Sequence, residues 1–113
     1  MEKILEQTLL YDFYGELLTE HQRQIYEDVV FGDFSLSEVA EAHHTSRQSV
    51  HDLIRRCSRS LQEYEDKLGL VKKFETTRVL VEKIGRLAQE YETTGDGQLV
   101  RQIAEISREI GEL

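Results

Sequence analysis

A chain of 113 residues has room for one compact domain, and its net charge of −8 works against non-specific attraction to any polyanion. Pro and Trp are absent while Leu, Glu, Gln, Arg and Ile recur, so local propensity favours helix and no segment alternates as a strand does. The single cysteine, Cys57, excludes an internal disulfide and a cysteine-rich structural zinc site, apolar runs such as Val79-Leu80-Val81 are far too short to cross a bilayer, and the amino terminus lacks a basic-then-apolar signal pattern. The expectation is an all-α cytoplasmic protein without membrane insertion.

In chain order, Leu5, Leu9, Phe13 and Leu17 follow one another at spacings of four, which predicts a first helix from about Lys3 to Leu17 with this stripe lying over a core. Thr19 and Gln22 have the spacing of a capping box, opening a second helix that carries Ile25, Val29 and Val30 inward and stops near Gly32. Ser35 and Glu38 repeat the box, with Phe34 as a candidate hydrophobic staple, and open a short helix containing Val39 and Ala40. After the interruption at His43, His44 and Thr45, Ser46 caps a long helix whose apolar stripe runs Val50, Ile54, Cys57, Leu61, Tyr64, Leu68 and Val71. Gly69 either ends that helix or bends it. A helical pattern resumes from Leu70 to Tyr91 through Leu80, Ile84 and Leu87, Gly95-Asp96-Gly97 reads as a loop, and Leu99, Ile103, Ile106, Ile110 and Leu113 mark a final helix.

Two of these helices, between about Ser35 and Arg59, are spaced as a helix-turn-helix. Ala40 suits the close crossing, where only a small side chain fits, and Val39, Val50 and Ile54 fill the wedge. His44 falls where glycine usually adopts a left-handed conformation, a region His tolerates better than most residues. Charge is uneven around this unit. Residues 1–45 carry Lys3 and Arg23 against ten carboxylates, net −8, residues 46–60 are net +3, and residues 61–113 are net −3.

With Val50 and Cys57 inward, a turn of about 100° per residue puts Gln48, Asp52, Arg55 and Arg59 on the opposite side, flanked by His51, Arg56 and Arg47. Gln can pair with adenine, Arg with guanine, and Asp52 can accept from a cytosine amino group, while Arg56 and Arg59 suit phosphates. The competing reading is a solvated face in which Asp52 pairs with Arg55 or Arg56. Both stay open, because this geometry predicts shape better than ligand. The acidic residues Glu20, Glu27, Asp28, Asp33, Glu38 and Glu41 near the expected phosphates make any DNA or RNA binding weak and strongly salt-dependent.

Residues from about Leu10 to Leu68 resemble region four of bacterial sigma factors, in Leu17-Leu18-Thr19, in Ser35-Leu36-Ser37-Glu38-Val39-Ala40-Glu41 and in Thr45-Ser46-Arg47-Gln48-Ser49-Val50. The start Tyr11-Asp12-Phe13-Tyr14 and the continuation Leu61-Gln62-Glu63-Tyr64-Glu65-Asp66-Lys67-Leu68 narrow the resemblance to the YlxM-like helix-turn-helix proteins of Gram-positive bacteria. It covers the first 70 or so residues well and the remainder only in helical character. The resemblance implies a regulatory role linked to the signal recognition particle pathway, since genes of this family tend to lie beside that of the particle's protein component. The particle's protein or RNA is then an implied partner, through an interaction module that needs no sequence-specific DNA binding.

The expected fold is a sigma region four-like, winged-helix-like core of three or four helices without strands, over residues 1–68, with a helical extension at residues 69–113. The extension carries two apolar stripes that an isolated helix-turn-helix would leave exposed, so it is expected to fold back on the first half or to form a coiled-coil-like contact in a homodimer. No enzyme constellation stands out. His43 and His44 are adjacent and cannot both face one metal from a regular helix, His21 and His51 lack a triad partner, and Cys57 falls in an apolar stripe, so neither metal nor cofactor is expected.

Overall fold

The computed structural model describes residues 3–113, and every regular element among them is helical. Helix α1 (Lys3–Tyr14) runs into a 3-10 turn at Gly15–Leu17, and α2 (Glu20–Tyr26) into a π-helical turn at Glu27–Phe31. Helices α3 (Leu36–Ala42), α4 (Arg47–Leu68), α5 (Leu70–Thr94) and α6 (Gly97–Gly111) complete the chain, giving the strandless helix-turn-helix architecture that the patterning predicts. The chain divides into two compact units, Met1–Gly69 and Leu70–Leu113.

Caps place most of the boundaries. Thr19 Oγ1 accepts from the Gln22 N–H at 3.2 Å while Gln22 Oε1 accepts from the Thr19 N–H at 2.9 Å. Ser35 and Glu38 do the same at 3.1 and 3.0 Å, so both expected capping boxes are complete. Ser46 Oγ accepts from the Ser49 N–H at 3.0 Å to start α4. That helix ends at Gly69, whose φ of 64° lies in the left-handed region and whose N–H donates to the Glu65 carbonyl. A side chain there would be strained, which is why the long helix stops rather than bends. The Gly95-Asp96-Gly97 loop is shorter than its composition suggests, because Asp96 accepts from the Gln98 N–H at 2.9 Å and makes Gly97 the first residue of α6.

The inward face of α1 differs from the expected one. Leu5, Phe13 and Leu17 are 48, 38 and 57% exposed, whereas Tyr14 and Leu18 are buried. Tyrosine partners decide the rotation. The Tyr14 ring meets Tyr64 at 6.1 Å and its hydroxyl donates to Glu65 Oε1 at 2.6 Å, tying α1 to α4. Tyr11 stacks on Tyr26 at 5.4 Å, both rings contact Phe31, and the Tyr11 hydroxyl donates to Glu27. Ring pairs of this kind contribute about 0.5–1.5 kcal/mol each beyond the area they bury, and of the predicted stripe Leu9 alone is half-buried. The 3-10 turn at Gly15–Leu17 then ends the first helix three residues earlier than predicted.

Below the turn, Ile25 of α2, Val39 and Ala40 of α3 and Val50 of α4 form a buried cluster, with Val29, Leu36, Leu53 and Ile54 packed against it. Phe34 does not close over this cluster as a staple would and stays 54% exposed. In the second unit α5 and α6 pack on each other as a hairpin. Val71, Leu99 and Ile106 are buried, Leu80, Ile84, Leu87, Ile103 and Ile110 are half-buried, and Leu113 is exposed.

Candidate nucleic-acid interface

The turn between α3 and α4 sets the direction of the candidate reading helix. His44 has a φ of 54°, the left-handed position that the sequence assigns to it. Its N–H donates to the Glu41 carbonyl at 3.2 Å, and the Thr45 N–H donates to the Ala40 carbonyl at 2.9 Å. These two bonds form a Schellman motif with histidine where glycine is usual. Ala40 is buried at the crossing, so the backbone that accepts the second bond lies close to α4.

Val50, Cys57 and Leu61 anchor α4 inward. Arg47, Gln48, His51, Asp52, Arg55, Arg56 and Arg59 are all exposed. Gln48, Asp52, Arg55 and Arg59 form the outer arc, and the remaining three lie on two flanks. On one flank Arg47, Gln48 and His51 line a hollow shared with Leu36 of α3. On the other, Arg56 lines a separate hollow with His21 of α2 and His43.

The pairing of Asp52 with Arg55 or Arg56 that the competing reading requires does not form. Gln48, one turn earlier, donates from Nε2 to Asp52 Oδ1 at 3.0 Å, and His51 Nδ1 lies 4.0 Å from the same oxygen, an ion pair only when the imidazole is protonated. Among the described residues, Arg47, Arg55, Arg56 and Arg59 therefore make no ion pair within 4.0 Å. One Gln48 amide N–H is taken, and the pair keeps the second N–H beside its acceptor oxygens, a mixed donor and acceptor edge.

Two acids expected to repel a ligand are engaged locally. Glu38 accepts from the Ser35 N–H, and that bond, with the Ser35 hydroxyl, holds its carboxyl below the usual carboxylate range. Glu27 takes the Tyr11 hydroxyl, whose pKa is raised by burial and by that carboxylate. Burial likewise raises the Cys57 thiol, which favours the protonated, poorly nucleophilic form. Groups of three or more His, Cys, Asp or Glu placed to hold a metal ion do not occur among the described residues.

Comparison with known proteins agrees with this geometry. Residues 1–102 match the family described as "helix-turn-helix protein, YlxM / p13 like". The chain belongs to the YlxM/p13-like helix-turn-helix family. The YlxM/p13-like relatives include a UPF0122 protein of Thermoanaerobacter sp. (strain X514), 43% identical over 115 residues that cover 99% of this chain and 97% of the relative. One from Caldanaerobacter subterraneus subsp. tengcongensis is 49% identical over 83 residues, covering 74% of this chain and 71% of the relative. Another, from Geobacillus kaustophilus, is 44% identical over 84 residues, covering 74% and 76%.

In this YlxM/p13-like chain, helical periodicity alone brings out the outer arc, whereas the hollow beside Arg56 was not visible in the sequence. His21, His43 and Ser49 reach it from α2, from the residue after α3 and from α4. Only the seven-residue interval from Ser49 to Arg56, two turns along one side of α4, was there to be read. Among the described residues no helix is long and apolar enough to cross a membrane.

Proposed function

We propose that this chain is a cytoplasmic, non-catalytic regulator that holds DNA or RNA on the exposed side of α4, through Arg47, Gln48, His51, Asp52, Arg55, Arg56 and Arg59. The observation that carries this reading is four exposed guanidinium groups without a carboxylate partner among the described residues, on the helix that follows the Schellman turn. Arg55 and Arg59 contact phosphates or guanine edges, and the Gln48–Asp52 pair accepts from base amino groups. The acidic remainder keeps affinity low and salt dependence steep. If all four arginines meet phosphates, binding falls about 100-fold between 50 and 200 mM salt.

Fluorescence anisotropy with a short duplex and an RNA hairpin at those two salt concentrations tests this. Retention at low salt that is lost in R55A/R59A supports it, and absence of binding at low salt, or binding indifferent to the double substitution, overturns it.

The concentration of acid in residues 1–45, net −8, favours a second reading. There the helix-turn-helix is an interaction module docking on a basic partner, and the family resemblance suggests the RNA-binding protein of the signal recognition particle, in whose pathway the chain would act. Such docking survives R55A/R59A and weakens when acidic residues are neutralised.

Residues 1–68 carry the ligand-binding unit in this proposal, and residues 69–113 serve as a homodimerisation extension. Val79, Val81 and Val100 stay exposed on α5 and α6, which supports a further apolar contact there. Sedimentation at micromolar concentration should give a dimer mass, and a monomer mass removes the dimer.

A further inference from the structure

The hollow on the second flank of α4 is lined by His21, His43, Thr45, Ser49 and Arg56 over an apolar floor that includes Ile25 and Val50. None of its lining residues is a carboxylate, in a chain whose net charge is −8. We propose that this hollow is a binding site for a phosphate group. It shares Arg56 with the nucleic-acid reading and does not depend on it.

The donors are available. Ser49 Oγ accepts from the Ser46 hydroxyl at 2.9 Å, which leaves the Ser49 proton free to be donated elsewhere. Among the described residues the Thr45 hydroxyl and the two imidazoles make no hydrogen bond, and Arg56 makes no ion pair. A neutral imidazole still offers one N–H, and a guanidinium offers five. Charge-assisted bonds from these groups to phosphate oxygens are about twice as strong as neutral ones.

The arrangement also fits the shape of the ligand. The donors come from α2, from the residue after α3, from the turn and from α4, so they approach the hollow from more than one element. A tetrahedral group with oxygens in several directions can meet such a set, whereas a planar carboxylate meets only part of it. The free space is about 160 Å³, enough for one phosphate group and a few waters at ~30 Å³ each. The rings of His21 and His43 meet edge to face, centroids 5.6 Å apart and 76° between planes. Arg56 brings a permanent positive charge to the hollow, and no carboxylate among the lining residues opposes an anion there.

A free phosphate monoester and a nucleic-acid backbone supply the same chemistry, and one titration separates them. The intact chain is followed by ¹H–¹⁵N NMR while inorganic phosphate is added, with chloride at matched ionic strength as the control. Saturable shifts at His21, His43, Ser49 and Arg56 are expected with phosphate and not with chloride, weakened at least tenfold in R56A and reduced in H21Q. Both altered side chains are exposed, so the helical far-UV spectrum should be unchanged. Shifts reproduced by chloride, shifts spread evenly along the outer arc of α4, or phosphate binding indifferent to R56A each overturn the proposal. Adding a short duplex to the phosphate-saturated chain identifies the source. Displacement of phosphate assigns the site to the backbone, and simultaneous binding assigns it to a free anion. Failure of the nucleic-acid reading appears as absent duplex binding with phosphate shifts intact, and failure of this site as absent phosphate shifts.

Discussion

The elements up to Gly69 and the hairpin that follows are both helical, but different forces shape them. In the first unit the helices before α4 are short, each of α2, α3 and α4 opens on a side-chain cap, and named ring pairs set which residues face inward. In the second, helices of 25 and 15 residues carry long apolar stripes of which only Val71, Leu99 and Ile106 are fully buried. Short helices are marginal alone and take their positions from packing and caps, so the first unit presents a defined surface. Long helices form readily from propensity, leaving half-buried stripes that suit a further contact.

The sharpest way to break this comparison is to remove equivalent side chains from each unit. Ile25→Ala, in the buried cluster of α2, α3 and α4, should cost about 2–5 kcal/mol in urea unfolding followed by circular dichroism. Ile84→Ala, half-buried on α5, should cost less than about 2 kcal/mol. Equal losses would mean that the two units are packed alike.

A smaller effect tests the caps. Ser35→Ala removes the acceptor of the Glu38 N–H and should destabilise by about 1 kcal/mol near neutral pH. The pH dependence of that difference has a definite sign. Glu38 has a lowered folded-state pKa, so the stability linked to its ionisation is present above the unfolded carboxylate range and is lost as pH falls through the lowered value. The gap between wild type and S35A should therefore narrow in acid, and a gap that widens would contradict the capping box.

The smallest expected change is His44→Gly. Left-handed backbone costs a non-glycine residue about 1–2 kcal/mol, partly offset by the greater freedom of an unfolded glycine, so the variant should be neutral or stabilised by up to about 1 kcal/mol in thermal unfolding. A marked loss would show that the imidazole itself supports the turn.

What could be read in the sequence was local. Thr19, Ser35 and Ser46 cap residues three positions away, and His44 takes a conformation dictated by its immediate neighbours. The outer arc of α4 follows from helical periodicity alone. The face of α1 was misplaced because Tyr14 finds its partner 51 residues later, and no local pattern weighs that contact against the leucine stripe. Asp52 was within reach of Gln48 and of two arginines, and spacing alone could not say which would take it. Spacing was equally silent on the hollow lined by His21 and His43, whose residues are separated by other helices.

The π-helical turn at Glu27–Phe31 has a consequence best counted in codons. It is closed by a bond of 2.8 Å from the Gly32 N–H to the Glu27 carbonyl, five residues back, so it holds one residue more than an α-turn would. Because the wide turn absorbs that residue, an in-frame loss of one codon here would return it to an α-turn and leave the direction of later positions nearly unchanged. Phe31 would keep its place against Tyr11 and Tyr26, and the cap at Ser35 would still open α3. For this fold, one codon can be lost in this turn at less cost than inside α4, where the same loss would turn every later position by about 100°.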